Sequence, residues 1–251
     1  MKKFLAAALA LAAMMGLASC GGNEKNENEL LVGITIYEPM NYTDADGNLT
    51  GFDTEFAKAV GKIIGKDIVF KEINWDTKFV TLDAEQIDCI WNGMTISDEV
   101  KENCDVSKAY VKNAQVVVMK KDVIENYADA AAMAELKFTA EAGSAGEEAI
   151  KENELDANYI PVADQQSAVL AVMGGQADAC VIDITMAKAM TAEGSDYDSL
   201  GYSVELTTEE YGIGFRKGSD LTEKVNAAMD ELKADGTLDA LAEKYSLTLA
   251  F

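Results

Sequence analysis

Apolar residues along this chain follow two alternating patterns, and together these patterns predict an α/β fold. Short continuous apolar runs, such as residues 30–36 and 114–119, predict buried strands. Between them, residues 52–63 place Phe52, Phe56 and further apolar side chains at helical spacing, and Gly65 is typical of a helix end. Strand, helix and strand in this order build a parallel sheet through right-handed crossovers.

The same patterns continue to the end of the chain. Further strands are predicted over residues 67–73, 88–91, 137–140, 179–184 and 205–215, and further helices over residues 78–84, 167–173, 221–233 and 238–245. Asn92 and Gly93 are predicted to form a turn after one strand, with a helix beyond it. Ser144 followed by Glu147 is a capping-box pattern that predicts the start of another helix. Ligands of parallel sheets bind at the carboxyl ends of the strands, so polar residues there are candidate site residues.

The first residues carry the pattern of an export signal. Lysines precede an apolar run over residues 4–17, which is shorter than the roughly 20 residues of a membrane span. The run ends in Leu-Ala-Ser-Cys at residues 17–20, which resembles the lipobox of bacterial lipoproteins. This resemblance implies that residues 1–19 are a removed signal peptide and that Cys20 carries the lipid. An ordinary secretory signal with another cleavage site is the alternative.

Residues 20–29 are predicted to be a solvated tether, because residues 21–29 contain no apolar side chain that could pack. The rest of the chain is strongly acidic. Without the two N-terminal lysines, 19 basic side chains face 44 acidic ones, which gives a net charge of −25. Nucleic acid is therefore excluded as a partner, since binding it depends on Lys and Arg side chains at the phosphates.

Histidine is absent, which excludes Ser-His and Cys-His nucleophiles and His-ligated zinc. Apart from Cys20, the cysteines are Cys89, Cys104 and Cys180, and their spacing matches no zinc motif. No metal and no cofactor are therefore predicted. Cys89 and Cys180 lie in apolar runs and are interpreted as buried free thiols, with a disulfide as the alternative.

A set of short motifs over residues 30–247 occurs in a distinctive order and spacing. The motifs are Gly51-Phe52-Asp53, Asn74-Trp75-Asp76, Asn92-Gly93-Met94-Thr95, Ala142-Gly143-Ser144, Gln176-Ala177-Asp178-Ala179, Asp183 and Tyr211-Gly212-Ile213-Gly214. Together they resemble the amino-acid-type (family 3) extracellular solute-binding proteins of ABC importers. The resemblance implies a two-lobed, periplasmic-binding-protein-like (type II) fold, in which each lobe is a mainly parallel sheet flanked by helices.

Two hinge crossings would join the lobes, which close over one ligand and deliver it to a membrane permease. The expected first lobe consists of residues 30–113 and 206–251, and the second of residues 114–205. The expected partners are a small-molecule ligand, which is an amino acid or an amine, an ABC permease, and the membrane through the lipid anchor. The protein is expected to be a monomer at the cell surface or at the periplasmic face of the cytoplasmic membrane.

The resemblance also implies roles for individual residues. Tyr37 and Trp75 would sandwich the ligand's side chain, because aromatic faces suit both alkyl groups and cations. Gly93 and Thr95 would offer backbone and hydroxyl groups, and Asp183 would accept hydrogen bonds from an ammonium group. The complete predicted ligand-binding set is Tyr37, Trp75, Asn92, Gly93, Met94, Thr95, Glu141, Ser144, Ala145 and Asp183.

Each of these positions also has a purely structural interpretation. The two aromatic residues could be ordinary core side chains, and Asn92 and Gly93 a plain turn. Thr95 could cap a helix, and the capping box alone could account for Ser144, which would otherwise place an N–H against an anion. Asp183 could be a solvated residue at a strand end.

Three departures from the family pattern concern the ligand. Val100 stands where the family usually has an arginine for the ligand's carboxylate, Ala145 where it often has a threonine, and Glu141 where it often has a glutamine. Lys101 follows Val100 but is rotated by about 100° around a helix. Two ligand hypotheses remain: an amino acid whose carboxylate is bound by backbone N–H groups and Lys101, or an amine or weakly anionic solute.

The predicted function is solute capture for an ABC importer, without enzymatic activity. A dehydratase on the same scaffold, using Glu141 or Asp183, is the alternative from another class. A signalling ectodomain would need a transmembrane helix and a further domain after Phe251.

Overall fold

The computed structural model describes residues 26–251. The signal peptide predicted over residues 1–19 and the lipidated Cys20 lie outside this range. Glu29, predicted as the last tether residue, already belongs to the first strand, where it pairs with Asp67. The tether prediction therefore extends one residue too far. No helix within the described residues is long and apolar enough to cross a membrane.

Helices and strands alternate as the apolar patterns predict. The first part contains β1 Glu29–Ile34, β2 Tyr42–Thr43, β3 Leu49–Thr50, α1 Phe52–Ile64, β4 Asp67–Glu72, α2 Lys78–Asp83, β5 Cys89–Thr95, α3 Asp98–Asn103, β6 Asp105–Val106 and β7 Val111–Asn113. The middle part contains β8 Gln115–Lys120, β9 Phe138–Glu141, α4 Ala145–Glu152, β10 Ile160–Val162, α5 Gln165–Met173, β11 Ala179–Asp183, α6 Ile184–Met190 and β12 Leu200–Glu205. The last part contains β13 Glu209–Phe215, α7 Leu221–Ala234 and α8 Thr237–Lys244.

Eleven strands form two mixed sheets, while β2 and β3 pair only with each other, and the fold is the predicted two-lobed type II architecture. The first sheet has the order β4-β1-β5-β13-β6, with β7 also paired to β13, and the second has the order β10-β9-β11-β8-β12. In each sheet three neighbouring strands are parallel, and every other pair of neighbouring strands is antiparallel. The chain leaves the first sheet after Asn113 and returns to it between Glu205 and Glu209. These are the two crossings.

Helix α1 packs between the first sheet and the C-terminal helices α7 and α8. Phe52 and Phe56 are fully buried, and the Phe56 ring meets Trp91 of β5 edge-on, with 5.0 Å between centroids. Burial of one such ring contributes roughly 1.5–3 kcal/mol. Ile63 lies at the margin of this face and is 37% exposed. Gly65 ends the helix in the left-handed conformation, as predicted.

The turn predicted at Asn92 and Gly93 is wrong, because β5 continues through both residues to Thr95. Gly93 has a φ of +57°, and the register between β5 and β13 shifts between Gly212 and Gly214. A glycine at positive φ beside a register shift is a β-bulge, which bends a strand without ending it. The backbone of Gly93 therefore stays within the sheet.

The cysteines of the described residues, Cys89, Cys104 and Cys180, are buried and unpaired, as predicted for Cys89 and Cys180. Burial raises the pKa of the Cys104 thiol to about 11, and it raises the pKa of the other two thiols further. Thiols that stay protonated in an apolar core are poor nucleophiles. They therefore pack as small apolar residues.

Candidate ligand-binding cleft

A cleft lies between the two sheets, at the carboxyl ends of β9 and β11 and beside the bulge of β5. Its lining residues are Thr35, Tyr37, Trp75, Asn92, Gly93, Thr95, Gln115, Glu141, Ser144, Ala145, Gln165 and Asp183. Nine of the ten predicted residues are thus brought together. The free space between them is about 20 Å³, which holds about one water molecule. A solute can enter only when the two walls move apart.

Met94 is the predicted residue that does not line the cleft. It is 1% exposed and packs in an apolar cluster with Val100 and Cys104. Successive side chains of a strand point to opposite faces, so Gly93 and Thr95 face the cleft and Met94 faces the core. The prediction for Met94 is corrected accordingly.

Gly93 fits the cleft because it has no side chain. A Cβ atom at this position would lie 2.7 Å from the Tyr37 ring and 3.1 Å from the Tyr211 ring, and the φ of +57° disfavours other residues. Its N–H donates to the buried Asp53 carboxylate at 2.7 Å. Burial raises the pKa of Asp53 to about 7. The Gly93 N–H is therefore already bonded within the protein.

The two polar side chains beside Gly93 are also bonded within the protein. The Asn92 carboxamide accepts from the N–H and hydroxyl of Thr35 and donates to the Thr35 carbonyl and to Asn41. The Thr95 hydroxyl donates to Glu209 at 2.7 Å. These side chains position the strand, so a ligand would meet mainly backbone at this wall.

One end of the cleft, here called the acidic end, is formed by Asp183 and Glu209. Asp183 closes β11 and accepts from the side-chain amides of Asn113, Gln115 and Gln165, the Gln115 bond being 2.8 Å long. The amides of Asn113 and Gln115 also donate to Glu209, at 2.6 and 2.8 Å. Two carboxylates thus share two amides. Burial, together with the charge of Glu209, raises the pKa of Asp183 to about 7.

Tyr37 joins the two walls near this end. Its hydroxyl bonds to the hydroxyl of Thr185, at the start of α6, and lies 2.6 Å from the Tyr211 hydroxyl. Burial and the nearby Asp183 charge raise the pKa of Tyr37 well above its ordinary value, so the phenol is neutral. Tyr37 therefore acts across the cleft through its hydroxyl as well as offering its ring.

The opposite end, here called the tryptophan end, is formed by Trp75, Lys78 and Glu141. Trp75 opens the short 3-10 turn Trp75–Thr77 and is 7% exposed. The Lys78 ammonium lies 5.1 Å from the Trp75 ring centroid and donates to the Gly143 carbonyl across the cleft at 2.8 Å. A cation over an indole face is favourable.

Lys101, the cation predicted for this region, lies outside the cleft. Its side chain is 57% exposed, and its ammonium is 3.8 Å from Asp98 on the same helix. The rotation that separates it from Val100 directs it to solvent. The predicted contact between Lys101 and a ligand is therefore wrong, and Lys78 is the cation at this end.

Glu141, at the end of β9, is a buried acid without a full set of partners. It is 3% exposed, and its Oε1 atom has no hydrogen-bond partner among the described residues. Burial raises the pKa of Glu141 to about 8, with the charges of Asp183 and Asp164 adding to the rise and Lys78 opposing it. At neutral pH this side chain is therefore mostly protonated.

Ser144 caps helix α4, as predicted. Its hydroxyl accepts from the Glu147 N–H at 3.2 Å, while the Glu147 carboxylate accepts from the Gly143 N–H at 2.6 Å. In the usual capping box the glutamate accepts from the N–H of the cap residue itself. Here it accepts from the N–H of the residue before the cap. The first N–H groups of the helix, at Ala145 and Gly146, have no intrahelical acceptor. They lie next to the cleft at Ala145.

Several residues at the cleft were not anticipated from the sequence. Thr35, Gln115 and Gln165 line it, whereas Lys78, Asn113 and Glu209 do not line it but bond to residues that do. Asn113 and Gln115 flank the first crossing, and this position is a signal that could have identified them. Lys78 lies three residues after Trp75, which places both on one side of a helical turn.

A two-lobed fold with buried polar groups converging between its lobes defines a binding protein for a small solute. Residues 30–248 match the family described as bacterial extracellular solute-binding proteins, family 3, and the chain belongs to this family.

Its relatives include binding proteins from different bacteria. The chain is 32% identical to the L-cystine-binding protein TcyJ of Escherichia coli (strain K12), over 88% of this chain and 84% of that protein. It is 30% identical to the ABC transporter glutamine-binding protein GlnH of Bacillus subtilis (strain 168), over 98% and 97%. An ancestral arginine-binding protein bound to arginine is 31% identical and superimposes with a TM-score of 0.81, over 87% of this chain and 98% of that one. The chain is thus a solute-binding protein and not an enzyme, so the dehydratase alternative is set aside.

Proposed function

We propose that the protein captures an amino acid in the cleft and delivers it to an ABC permease, and that it is anchored to the membrane through a lipid on Cys20. The named ligands of its relatives, cystine, glutamine and arginine, support an amino acid as the solute. The observation that carries the proposal is Asp183, a buried carboxylate held by three side-chain amides at the cleft.

Asp183 suits the ammonium group of such a ligand. A charge-assisted hydrogen bond in a desolvated site is stronger than a neutral one, and its direction orients the ligand. The pKa of Asp183 is raised to about 7 by burial and by Glu209, and an ammonium group beside it would lower that pKa again. The ligand's charge therefore compensates for the repulsion between the two carboxylates.

The division into moving lobes is part of the same proposal. The strands of the first sheet come from residues 29–113 and 209–215, and those of the second from residues 115–205. This supports lobes at residues 30–113 with 206–251 and at residues 114–205. Bonds from Tyr37 to Thr185 and from Lys78 to Gly143 join opposite walls, so they would break when the lobes open.

An amine without a carboxylate is the second candidate for the ligand. The arginine position is occupied by Val100, which is 5% exposed in the apolar core, and Lys101 points away. Asp183, Glu209 and Glu141 make the cleft rich in acids. A ligand carboxylate near such acids costs free energy unless a cation compensates.

A thermal unfolding screen separates the two candidates. The purified chain is heated with each of the twenty amino acids, with polyamines and with quaternary amines. A ligand at about 100 times its dissociation constant adds roughly 2.7 kcal/mol of stability. A shift of the midpoint with one amino acid supports the proposal, and shifts confined to amines support the second candidate. No shift with any compound contradicts both.

Anchoring and delivery need separate tests. Growth with a labelled fatty acid should label the wild-type protein and leave a Cys20→Ser variant unlabelled. Equal labelling of both proteins would contradict the anchor. Uptake of the labelled solute should fall when the protein is removed from the cell, and unchanged uptake would contradict delivery.

A further inference from the structure

We propose that Lys78 binds the ligand's carboxylate and is the residue that makes this cleft prefer an amino acid to the corresponding amine. The inference rests on the proposed function, since it concerns the same cleft. Val100 removes the usual cation from α3, and Lys78 supplies one from the start of α2.

Lys78 is a buried cation without an anionic partner. It is 4% exposed, and its ammonium donates to the carbonyls of Gly143 at 2.8 Å and Trp75 at 3.4 Å. It also lies 4.7 Å from the centroid of the Phe79 ring. None of the ion pairs among residues 26–251 involves it. An ammonium has three donors, so one remains for a ligand.

The acids around Lys78 do not fill this role. Glu99, Glu141 and Asp76 favour its charged form at a distance, while burial lowers its pKa. Glu141 is the buried one of the three, and it is mostly protonated at neutral pH because its own pKa is raised to about 8. A buried charge without an ion pair is costly, and a ligand carboxylate would compensate for it.

A second group that favours anions, the start of α4, lies on the wall opposite Lys78. The Gly143 carbonyl to which Lys78 bonds is two residues before Ala145, where α4 begins. The free N–H groups of the first helical turn carry partial positive charge. A carboxylate between Lys78 and Ala145 would meet both, and its ammonium end would face Asp183 across the cleft.

A lysine provides this contact differently from an arginine. A guanidinium group binds a carboxylate through two parallel hydrogen bonds, whereas an ammonium group is a point charge with rotatable donors. The cleft should therefore require a carboxylate less strictly than one with an arginine at position 100. Its preference for the acid over the amine should depend on one side chain.

Paired ligands test this directly. The full chain is titrated calorimetrically with L-arginine and agmatine and with L-histidine and histamine, which differ within each pair by the carboxylate. In Lys78→Met, which retains the length of the stem, affinity for the amino acid should fall by about tenfold or more, and affinity for the amine should stay within about threefold. Lys78→Arg should retain most of the preference. Lys101→Met, the matched exposed lysine, should change neither affinity.

Each result has a defined meaning. Equal weakening of acid and amine in Lys78→Met, or unchanged affinity for both, overturns the inference alone, because the wild type would still bind amino acids. A wild type that binds no amino acid in the thermal screen overturns the proposed function and the inference with it. If it binds an amino acid other than arginine or histidine, that acid and its decarboxylated amine form the test pair. If Lys78→Met does not fold, Lys78→Gln is titrated with the same pairs and should lose the preference for the amino acid over the amine. Lys78→Arg must then keep that preference.

Discussion

The two ends of the cleft contain ionisable side chains that are equally buried but differ in how fully the protein supplies their hydrogen-bond and ion-pair partners. At the acidic end, Asp183 is 4% exposed and accepts hydrogen bonds from three side-chain amides. At the tryptophan end, Glu141 is 3% exposed and has one oxygen without a partner among residues 26–251, and Lys78 has no ion pair within the same range. The buried groups of the acidic end are thus held by the protein, whereas those of the tryptophan end keep donors and acceptors that a ligand could fill.

This difference divides two tasks between the ends. Amides that already hold Asp183 fix where an ammonium group must sit, so little ordering remains when the ligand binds. Groups that lack partners gain the most from a ligand that supplies them, and they penalise one that does not. We therefore expect orientation to depend on the acidic end and choice among ligands to depend on the tryptophan end.

The largest effect is expected at Asp183. Asp183→Asn replaces an acceptor by a group that also donates, and the ligand's ammonium then loses its counter-charge in a desolvated site. Affinity for every amino acid should fall by at least about 100-fold, or about 2.7 kcal/mol, in calorimetric titration. Asp196→Asn, at an exposed aspartate of the same lobe, is the control and should leave affinity unchanged. Retention of affinity within threefold in Asp183→Asn would remove the acidic end from the binding site.

A second prediction concerns the unpartnered acid of the tryptophan end. The pKa of Glu141 is about 8 in the folded protein, compared with an ordinary value of 4.5. Between these pH values the unfolded chain has lost its proton and the folded protein keeps it, so stability falls as pH rises. Compared with Glu141→Gln, the wild type should lose up to about 1.4 kcal/mol per pH unit from pH 5 to 8, and nothing below pH 4.

Urea unfolding at a series of pH values measures this difference. Glu152→Gln, at an exposed glutamate at the end of α4, is the matched control and should follow the wild type. Parallel stability curves for Glu141→Gln and the wild type would mean that Glu141 finds a partner in solution. The buried groups at the two ends of the cleft would then not differ in whether they have partners.

Trp75 offers a smaller change at the same end. Trp75→Leu keeps an apolar side chain but removes the indole of a cleft-lining residue, whose face would pack on the ligand's side chain. A lost cation–π contact in a desolvated site costs roughly 1 to 2 kcal/mol, so affinity for a cationic ligand such as arginine should fall about tenfold. Affinity for glutamine should fall less. An equal loss for both ligands would indicate packing alone.

The fold could be predicted from the sequence where burial of one face decides the structure. Phe52 and Phe56 recur at helical spacing because α1 has one buried side, and Gly65 ends it in the expected conformation. The bulge at Gly93 could not be distinguished from a turn, because a glycine at positive φ serves both. Only the pairing with β13, more than a hundred residues away in the chain, decides between them.

The site could be predicted in part for a similar reason. Positions at strand ends, such as Asp183, follow from the topology of the sheets. Lys78 acquires its role only through Gly143, 65 residues further along the chain and on the other wall. Glu209 likewise depends on Asn113, 96 residues earlier. Contacts between lobes depend on how the lobes meet, which local spacing does not encode.

The smallest effect is expected at Tyr37, which contacts the acidic end through its hydroxyl. Tyr37→Phe keeps the ring beside Gly93 and removes the bonds to Thr185 and Tyr211. A neutral hydrogen bond contributes about 0.5–1.5 kcal/mol net, and the bond to Thr185, on the opposite wall, forms only when the walls meet. Affinity should therefore fall about threefold, through faster dissociation of the ligand in stopped-flow measurements. Thr185→Val removes the partner of one bond and should have an effect of the same kind. A loss as large as that of Asp183→Asn would mean that the phenol itself binds the ligand.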